Sequence, residues 1–465
     1  MKKLLSVIIA LAAALSMTAC SGDTASGGNT PDSGVNSADQ QGGTPSGSDA
    51  GSGEAQLPDG GPAETEPAEE TKLLSNEIPL TADGDIDMTA ALAYETDVEA
   101  LIKELGSRET DPSKPVSRNS NEDTLAVFDY LYSIYGKQIL TCQQMMNTEA
   151  YEDLVYYNGA HDLPAMKGFD FIFCTGSYVS EDMINDAIAW HNESGGLVTF
   201  TWHWNVPTDV DKAGDPDCRY AFYTEEITNW SALNAVTPGT KEYEIVIHDI
   251  DLIATKLQRM ESEGITVLFR PLHEASGAWF WWGLQDRSTA ENEIFQKLWY
   301  IIYDRIENHH KLTNIIWVWN GQSQFCAVSP NAYDIAGIDY YASSEDHSAM
   351  RPQYDNLKNL SDGSGKMLAL SECGYIPDPA ECAATDTYWL YYMIWNGDFV
   401  YAADASGKAI TDLRGTPSPN TERMTNEMLE EYFGSDVFIT RSKLPDRFIS
   451  GKDIPQKIKN WEFFS

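Results

Sequence analysis

From about residue 122 onward, the chain alternates short apolar runs with longer amphipathic stretches. The stretches between the runs carry apolar residues at intervals of three and four, as in 248–264 and 292–310, and this spacing predicts helices. Eight runs are rich in β-branched and aromatic residues and have the length of buried strands. They are KQILTCQQM (137–145), GFDFIFCTG (168–176), GLVTFTWHW (196–204), TVLFRPLHE (266–274), NIIWVWN (314–320), IAGIDYYA (335–342), MLALSECGY (367–375) and WLYYMIWNG (389–397).

Continuous apolar strands that alternate with helices indicate a parallel sheet covered by helices. Eight such units predict an α/β fold of the (β/α)8 TIM-barrel type, although an open doubly wound sheet would show the same alternation. No glycine-rich phosphate turn of the GxGxxG or GxxxxGKS kind follows any of the strands, which argues against nucleotide binding. In most runs the polar residues come last, and the active sites of barrels lie at that end of the strands.

Two glutamates end predicted strands: Glu274 the fourth and Glu372 the seventh. A strand-terminal glutamate taken singly is more often part of a structural ion pair. Two carboxyl groups that converge from opposite walls of a barrel, however, are what a glycosidase needs. One protonates the departing oxygen, while the other attacks the anomeric carbon or activates water.

An aromatic run follows the first of these glutamates, in TVLFRPLHEASGAWFWWG (266–283). Sugar rings present flat C–H faces that stack on aromatic rings, and the chain has 13 Trp and 23 Tyr to supply such surfaces. Consecutive side chains point in different directions. We therefore expect some of residues 279–282 to line a cleft and the others to pack against the barrel wall.

The motifs RPLHEASGAWFWWG, FTWHWNVP and LSECGY resemble glycoside hydrolase family 26, whose best-represented members are endo-β-1,4-mannanases. The resemblance covers roughly residues 122–465. It implies a (β/α)8 barrel that hydrolyses with retention, with Glu274 as general acid/base and Glu372 as nucleophile. Retention requires carboxyl groups about 5 to 5.5 Å apart, so we expect that spacing here. The chain departs from the family at Ala275 and Ser276, where Met-Asn is usual.

The resemblance also implies residues that contact the substrate. His203 and Trp204 match a family site for the sugar at the reactive subsite, and His273 would contact substrate or tune the acid. Trp395 matches the tryptophan that forms the floor of that subsite. The full implied set is His203, Trp204, Arg270, His273, Trp279, Phe280, Tyr341 and Trp395.

On the sixth strand, Asp339 and Tyr341 occupy the D-x-Y position of the family, where the tyrosine hydroxyl would orient the nucleophile. The adjacent Tyr340 leaves that assignment open by one residue. The acid must stay protonated while the nucleophile stays ionised, so their surroundings must push the two pKa values apart. Arg270 or a hydroxyl donor would hold Glu372 ionised.

No metal ion or cofactor is expected. His203 and His273 could hold a metal with Glu274, but the chain has no H-E-x-x-H or similar compact ligand set. No EF-hand-like loop supports a structural calcium ion, although the acidic composition does not exclude such an ion. Apart from Cys20, the six cysteines match no small disulfide framework or zinc pattern.

The formal net charge is −40, and loss of Lys2 and Lys3 with a signal peptide would make it −42. Such a chain repels a polyanion, so a nucleic-acid partner is not expected. A neutral plant β-mannan carries no such penalty, and we expect it as the partner of a monomeric protein.

The first 72 residues predict export. Residues 1–19 have the lysines and apolar run of a signal peptide, and SMTAC resembles a lipobox in which Cys20 is acylated. Residues 20–72 predict a disordered tether, because Gly, Ser, Pro and acidic residues cannot bury enough apolar surface. An ordinary cleaved signal with an incidental cysteine is the alternative. Residues 73–119 form a leader of unreadable role and 120–465 the catalytic domain.

The sequence thus predicts an extracellular endo-β-1,4-mannanase, held by lipid on the outer face of a bacterial membrane, that cleaves mannan, glucomannan or galactomannan. Two alternatives stay open. One is a family member acting on mixed-linkage β-glucan or β-1,3-xylan, because specificity lies in loops. The other is a tethered glycan-binding lipoprotein without turnover, against which the intact glutamate pair argues.

Overall fold

The structure, a computed structural model, describes residues 75–146, 150–176, 179–284, 288–361 and 363–462. The predicted signal peptide, Cys20 and the whole of the predicted tether (20–72) lie outside the described residues. Eight parallel strands form the centre of the fold. They are β1 (Ile139–Gln144), β2 (Met166–Asp170), β3 (Leu197–Thr201), β4 (Val267–Arg270), β5 (Ile315–Trp319), β6 (Ile335–Tyr340), β7 (Met367–Cys373) and β8 (Tyr391–Ile394).

The eight strands close into a barrel. Each strand pairs with the next along the chain, and β8 returns to pair with β1 in parallel, from Leu140 beside Tyr391 to Gln143 beside Ile394. This closure confirms the predicted (β/α)8 barrel and excludes the open doubly wound sheet. A ninth short strand, β9 (Phe438–Ile439), pairs in parallel with Ile139 and Leu140 at the start of β1.

Helices pack around the barrel. They are α1 (Met88–Ala91), α2 (Val98–Ser107), α3 (Glu122–Ile134), α4 (Tyr151–Ala160), α5 (Asp182–Ser194), α6 (Ala232–Ala235), α7 (Lys241–Ser262), α8 (Thr289–Asp304), α9 (Arg351–Leu360), α10 (Pro379–Ala384), α11 (Asn426–Gly434), α12 (Asp446–Ile449) and α13 (Gln456–Glu462). Helix α8 continues into a π-helical turn, Arg305–His309. The two predicted helices at 248–264 and 292–310 correspond to α7 and α8.

The connection from β5 to β6 has only two 3-10 turns, Gln324–Cys326 and Pro330–Ala332, where a helix is usual. Helix α2, from the N-terminal segment, packs at this place against α8 and the second turn. The side-chain amide of Asn331 in that turn donates to the carbonyl oxygens of Leu105 and Arg108 at the end of α2. A helix from before the barrel thus occupies the position that the fifth unit leaves open.

The rest of residues 75–121 also contacts the barrel closely. The buried guanidinium of Arg305 donates to the carbonyl oxygens of Ala91 and Tyr94, and it pairs with Asp251 of α7. The hydroxyl of Ser117 donates to Glu307 at 2.7 Å. This segment, which the sequence left without a role, is part of one packed unit with the barrel.

The barrel interior follows the alternation of strand side chains. Leu268 of β4 and Ile316 and Val318 of β5 belong to an inner apolar cluster, whereas their sequence neighbours pack outward against the helices. Helix α3 packs into the same inner cluster through Phe128 and Leu131. Since residues two apart on a strand share a face, Arg270 points into the barrel above Leu268.

The strand predicted at 168–176 ends early. Asp170 accepts a hydrogen bond from the backbone N–H of Ile172 at 2.9 Å, and the chain turns into a 3-10 helix, Phe171–Phe173. The six cysteines from Cys142 to Cys382 are buried and unbridged. Among the described residues, no helix combines the length and apolar character needed to cross a membrane.

Candidate active site

Glu274 lies in a sharp turn after β4. Its backbone φ is +53°, and that of Leu272 is +55°, so both adopt the left-handed conformation that costs a non-glycine residue about 1–3 kcal/mol. The backbone N–H of Glu274 donates to the carbonyl oxygen of Asn320 at 2.9 Å, and Gly277 closes the turn by donating to the Glu274 carbonyl. The turn brings the carboxyl group over the mouth of the barrel.

Glu372 faces the same mouth because β7 contains a bulge. The pairing with β6 runs from Ile338 beside Leu370 to Asp339 beside Glu372, which leaves Ser371 as an extra residue. Regular alternation would have turned Glu372 outward, on the face of Leu370. A bulge of this kind re-aims the side chains that follow it, and Cys373 accordingly packs in the outer cluster.

The two glutamates share the mouth with a third carboxyl group. One carboxyl oxygen from each of Glu274, Asp339 and Glu372 lies within 4.8 Å of the others. Arg270, only 1% exposed, donates to Asp339 Oδ2 at 2.7 Å and also to Glu372 Oε1. Three acidic groups of this spacing would attract a cation, and here the guanidinium supplies the positive charge to two of them.

The carboxyl groups of Glu274 and Glu372 differ in their partners. Glu372 receives hydrogen bonds from Arg270 and from the hydroxyl of Tyr341, the latter at 2.8 Å. Glu274 accepts a hydrogen bond from the indole N–H of Trp279 at 2.9 Å. The sequence left open whether Tyr340 or Tyr341 contacts Glu372. In the structure it is Tyr341, whose hydroxyl reaches Glu372.

These surroundings separate the two acids electrostatically. Burial, together with the charges of Asp339 and Glu372, raises the pKa of Glu274 well above its usual range. Burial and Asp339 also raise the pKa of Glu372, to about 7, but the Arg270 guanidinium opposes that shift. The arrangement keeps the proton on Glu274 and the negative charge on Glu372.

Two buried histidines, His203 and His273, stand beside the carboxyl groups. Their Nε2 atoms lie 3.3 Å apart, and His203 Nδ1 lies 2.5 Å from Asp170 Oδ2. The other ring nitrogen of His273 lies 3.2 Å from the hydroxyl of Thr201. Burial and the neighbouring His203 lower the pKa of His273 well below its usual value, so His273 is neutral.

The four residues of the aromatic run, 279–282, differ in exposure and in hydrogen-bond partners. Trp279 is partly exposed and binds Glu274. Phe280 is buried and lies edge-on to His203, with ring centroids 5.5 Å apart. Trp281 and Trp282 are buried as well, and their indole N–H groups donate to the carbonyl oxygens of Trp204 and His273. The rings of Trp281 and Trp282 therefore fix the backbone of the site through hydrogen bonds to its carbonyl groups.

Trp204 requires a correction. We expected it to contact the sugar, but its side chain is 0% exposed and stacks on Trp202 with centroids 3.9 Å apart. Its indole N–H donates to Asp249 of α7 at 2.8 Å. His203 and Trp204 follow the end of β3 at Thr201, and the Trp204 side chain contacts Trp202 and Asp249 instead of the mouth, so Trp204 supports the site without facing it.

Trp395, by contrast, follows β8 at the mouth and lies 6.1 Å from the His203 ring, and it is 7% exposed.

Two further polar residues at strand ends were not singled out in the sequence. Asp170 at the end of β2 binds His203, and Asn320 after β5 binds Asp339. The signal that identified the glutamates, a polar residue after an apolar run, applies to Asn320; Asp170 lies inside the predicted run 168–176, and only the early end of β2 places it at a strand end.

Comparison with known proteins agrees with this geometry. The family model described as glycosyl hydrolase family 26 matches residues 116–415. Mannan endo-1,4-beta-mannosidase B of Piromyces sp is 37% identical over 297 residues, which are 61% of this chain and 49% of that protein. Mannan endo-1,4-beta-mannosidase A of the same organism is 34% identical over 330 residues, 69% of this chain and 48% of that protein.

Solved structures share the fold as well. The GH26-CBM35 β-(1,4)-mannanase of Podospora anserina is 30% identical with a TM-score of 0.60, covering 72% of this chain and 70% of that one. A β-mannanase from a symbiotic protist of the termite Reticulitermes speratus, complexed with gluco-manno-oligosaccharide, is 26% identical with a TM-score of 0.60 and covers 72% and 98%.

This chain spans about half the length of the two Piromyces relatives. The matched family region nevertheless takes in all eight barrel strands and every residue of the site described above. The chain belongs to glycosyl hydrolase family 26.

Proposed function

We propose that this protein is a retaining, endo-acting β-1,4-mannanase that cleaves mannan, glucomannan or galactomannan. The observation that carries the proposal is the pair Glu274 and Glu372, in which one carboxyl oxygen of each lies within 4.8 Å of the other. Retaining glycosidases hold their two carboxyl groups about 5–5.5 Å apart, whereas inverting enzymes need about 6.5–9.5 Å to admit a water molecule. The observed spacing favours retention.

In the first step, ionised Glu372 attacks the anomeric carbon of the bound sugar. Glu274 simultaneously gives its proton to the departing glycosidic oxygen, so no unstable alkoxide leaves. Arg270 and Tyr341 hold the attacking carboxylate by one oxygen each, which fixes its orientation and keeps it ionised. The products of this step are a shortened chain and a glycosyl ester on Glu372.

In the second step, the same groups reverse their roles. Esterification removes the negative charge of Glu372, which was one cause of the raised pKa of Glu274. The pKa of Glu274 therefore falls, and the now ionised carboxylate takes a proton from water that attacks the anomeric carbon. Hydrolysis returns Glu372 as a carboxylate and Glu274 as an acid.

The substrate class rests on the relatives. The two Piromyces proteins and the Podospora anserina enzyme carry mannanase names, and the termite-symbiont structure holds a gluco-manno-oligosaccharide. The aromatic surfaces of Trp279 and Trp395 beside the carboxyl pair suit the C–H face of a neutral sugar. We also propose that acylated Cys20 holds the enzyme on the outer face of a bacterial cell membrane, as the SMTAC motif suggests.

The test is release of reducing sugar by the full chain from mannan, glucomannan, lichenan and β-1,3-xylan. We expect activity on the mannans and its loss, by at least about 10⁴-fold, in Glu372→Ala, because that variant lacks the carboxylate that forms the ester. Activity confined to lichenan or β-1,3-xylan would contradict the proposed substrate. A folded wild-type protein that binds mannan without cleaving it would contradict the activity.

Glu307→Gln is the matched control for the loss of a buried glutamate. Glu307 is 3% exposed and held by Trp317 and Ser117, away from the barrel mouth. This variant should keep wild-type turnover on the same substrates. An equal loss in Glu307→Gln and Glu372→Ala would show that removal of any buried carboxyl group inactivates the protein, and it would remove the support for Glu372 as nucleophile.

A further inference from the structure

Asn320 is a buried residue that forms hydrogen bonds to Glu274 and to Asp339, between the strands that carry the catalytic carboxyl groups. It directly follows β5, its side chain is 0% exposed, and its backbone carbonyl accepts the N–H of Glu274. It thereby helps to hold Glu274 in its left-handed conformation. None of the family motifs quoted for this chain includes Asn320.

The side-chain amide of Asn320 binds Asp339, another carboxyl group of the site. Its Nδ2 donates to Asp339 Oδ1 at 2.7 Å and to the Ser371 hydroxyl oxygen at 2.6 Å, and Ser371 itself donates to the same Asp339 oxygen at 2.7 Å. The amide of Gln322 donates to Asn320 Oδ1 at 2.9 Å. Because Oδ1 is used in this way, the donor end of Asn320 must face Asp339.

The backbone at Gly337 leaves room for the contact between Asn320 and Ser371. A Cβ atom on Gly337, in β6, would lie 2.5 Å from the Ser371 hydroxyl oxygen and 3.3 Å from Asn320 Nδ2. Any larger residue there would push the two donors apart. The glycine, the bulge at Ser371 and the amide of Gln322 thus all converge on one arrangement of the Asn320 amide.

We propose that Asn320 is a positioning residue for the glycosidase reaction, and that its side-chain amide determines how Arg270 is shared between Asp339 and Glu372. With Asn320 and Ser371 serving Oδ1 of Asp339, that carboxylate needs only one N–H of Arg270, at Oδ2. The other guanidinium nitrogen stays on Glu372. The inference rests on the proposed function, because it assigns a role to Asn320 in that same site.

Without the amide, Asp339 loses a donor and draws the guanidinium toward itself. Glu372 then loses part of its counter-charge, and its ionised form becomes less stable. Among the described residues, the charged and titratable groups that interact with Glu372 and share in this balance are Arg270, Asp339, Glu274, His203, Tyr341, Tyr223, Tyr391 and Cys373.

The experiment compares Asn320→Ala with Asn331→Ala in the full chain. Asn331 is also a buried asparagine after β5, and its amide also donates two hydrogen bonds, to Leu105 and Arg108. We expect Asn320→Ala to lower kcat/KM by about tenfold or more and to move the acidic limb of its pH profile upward by about half a unit. Asn331→Ala should lower thermal stability and leave the limb unchanged.

An unshifted limb in Asn320→Ala, with no greater loss of kcat/KM than in Asn331→Ala, would overturn the proposal and leave Asn320 a packing role. If Asn320→Ala does not fold, Gln322→Ala tests the same idea, because it keeps the amide but frees it to rotate. It should give a smaller shift in the same direction, and an unshifted limb there would again overturn the proposal. An inactive wild-type protein would contradict the proposed function instead.

Discussion

The hydroxyl of Tyr341 donates to Oε2 of Glu372 over 2.8 Å, on the side opposite the contact that Arg270 makes with Oε1. Both oxygens of the carboxylate that we propose as the nucleophile are therefore held before substrate arrives. Such preorganisation lowers the reorganisation needed in the transition state. It also distinguishes Glu372 from Glu274, which has a neutral indole N–H as its partner.

Replacement of Tyr341 by Phe should therefore lower kcat/KM about tenfold to a hundredfold, since a hydrogen bond to a charged group contributes about 1.5–3 kcal/mol. The fold should persist, because the ring stays in place. Steady-state kinetics on a manno-oligosaccharide measure the effect, with Tyr340→Phe as the neighbouring control. Equal kinetics for the two variants would mean that the Tyr341 hydroxyl does not orient the nucleophile.

The wild-type pH profile should be bell-shaped and displaced from ordinary glutamate values. Activity falls at low pH when Glu372 becomes protonated and cannot attack, and it falls at high pH when Glu274 loses its proton. Burial and Asp339 raise the pKa of Glu372 from 4.5 toward about 7, so the acidic limb of kcat/KM should lie between these values. A limb at or below 4.5 would contradict this account of the surroundings.

Asp339→Asn should move both limbs to lower pH. The charge of Asp339 raises the pKa of Glu274 and of Glu372, and its removal also frees Arg270 to stabilise ionised Glu372. We expect shifts of about one unit, measured as the pH dependence of kcat/KM. This direction is opposite to the one expected for Asn320→Ala. Movement of either limb to higher pH would show that Asp339 acts mainly through packing.

The N-terminal segment should be required for stability. Leu105 of α2 is 0% exposed and lies in the same core cluster as the outward side chains of the barrel strands. Leu105→Ala should lower the free energy of unfolding by about 2–5 kcal/mol, as measured by denaturant titration. Leu92→Ala, at a position 39% exposed in the same segment, should change it by less than about 0.5 kcal/mol. Equal effects would mean that α2 is not packed on the barrel in solution.

The sequence predicts the barrel and both glutamates because those features are local. Buried strands carry continuous apolar runs, and the polar residue that ends each run marks the catalytic face. Asn320 followed the same rule and could have been found by applying it to every strand, whereas Asp170 was hidden by the apolar residues 171–174 that continue the run after it. The family resemblance, with Asp339 and Tyr341, added the sixth strand to the site.

Other features depend on contacts that no local pattern records. The bulge at Ser371 shifts the phase of β7 by one residue, and the alternation of MLALSECGY alone would place Glu372 outside the barrel. Trp204 reads as a cleft residue beside His203, but it finds its partner in Asp249 of a distant helix. The placement of α2 beside β5 likewise depends on tertiary packing, since the sequence shows only that the helix exists.

The central claim is that Glu274 and Glu372 act in a double displacement, and the stereochemistry of the first product tests it most directly. Proton NMR of a manno-oligosaccharide digest follows the anomeric signal of the newly formed reducing end before mutarotation. Retention predicts that the β-anomer appears first and the α-anomer only later. Initial appearance of the α-anomer would show a single inversion with no ester on Glu372, and it would contradict the account.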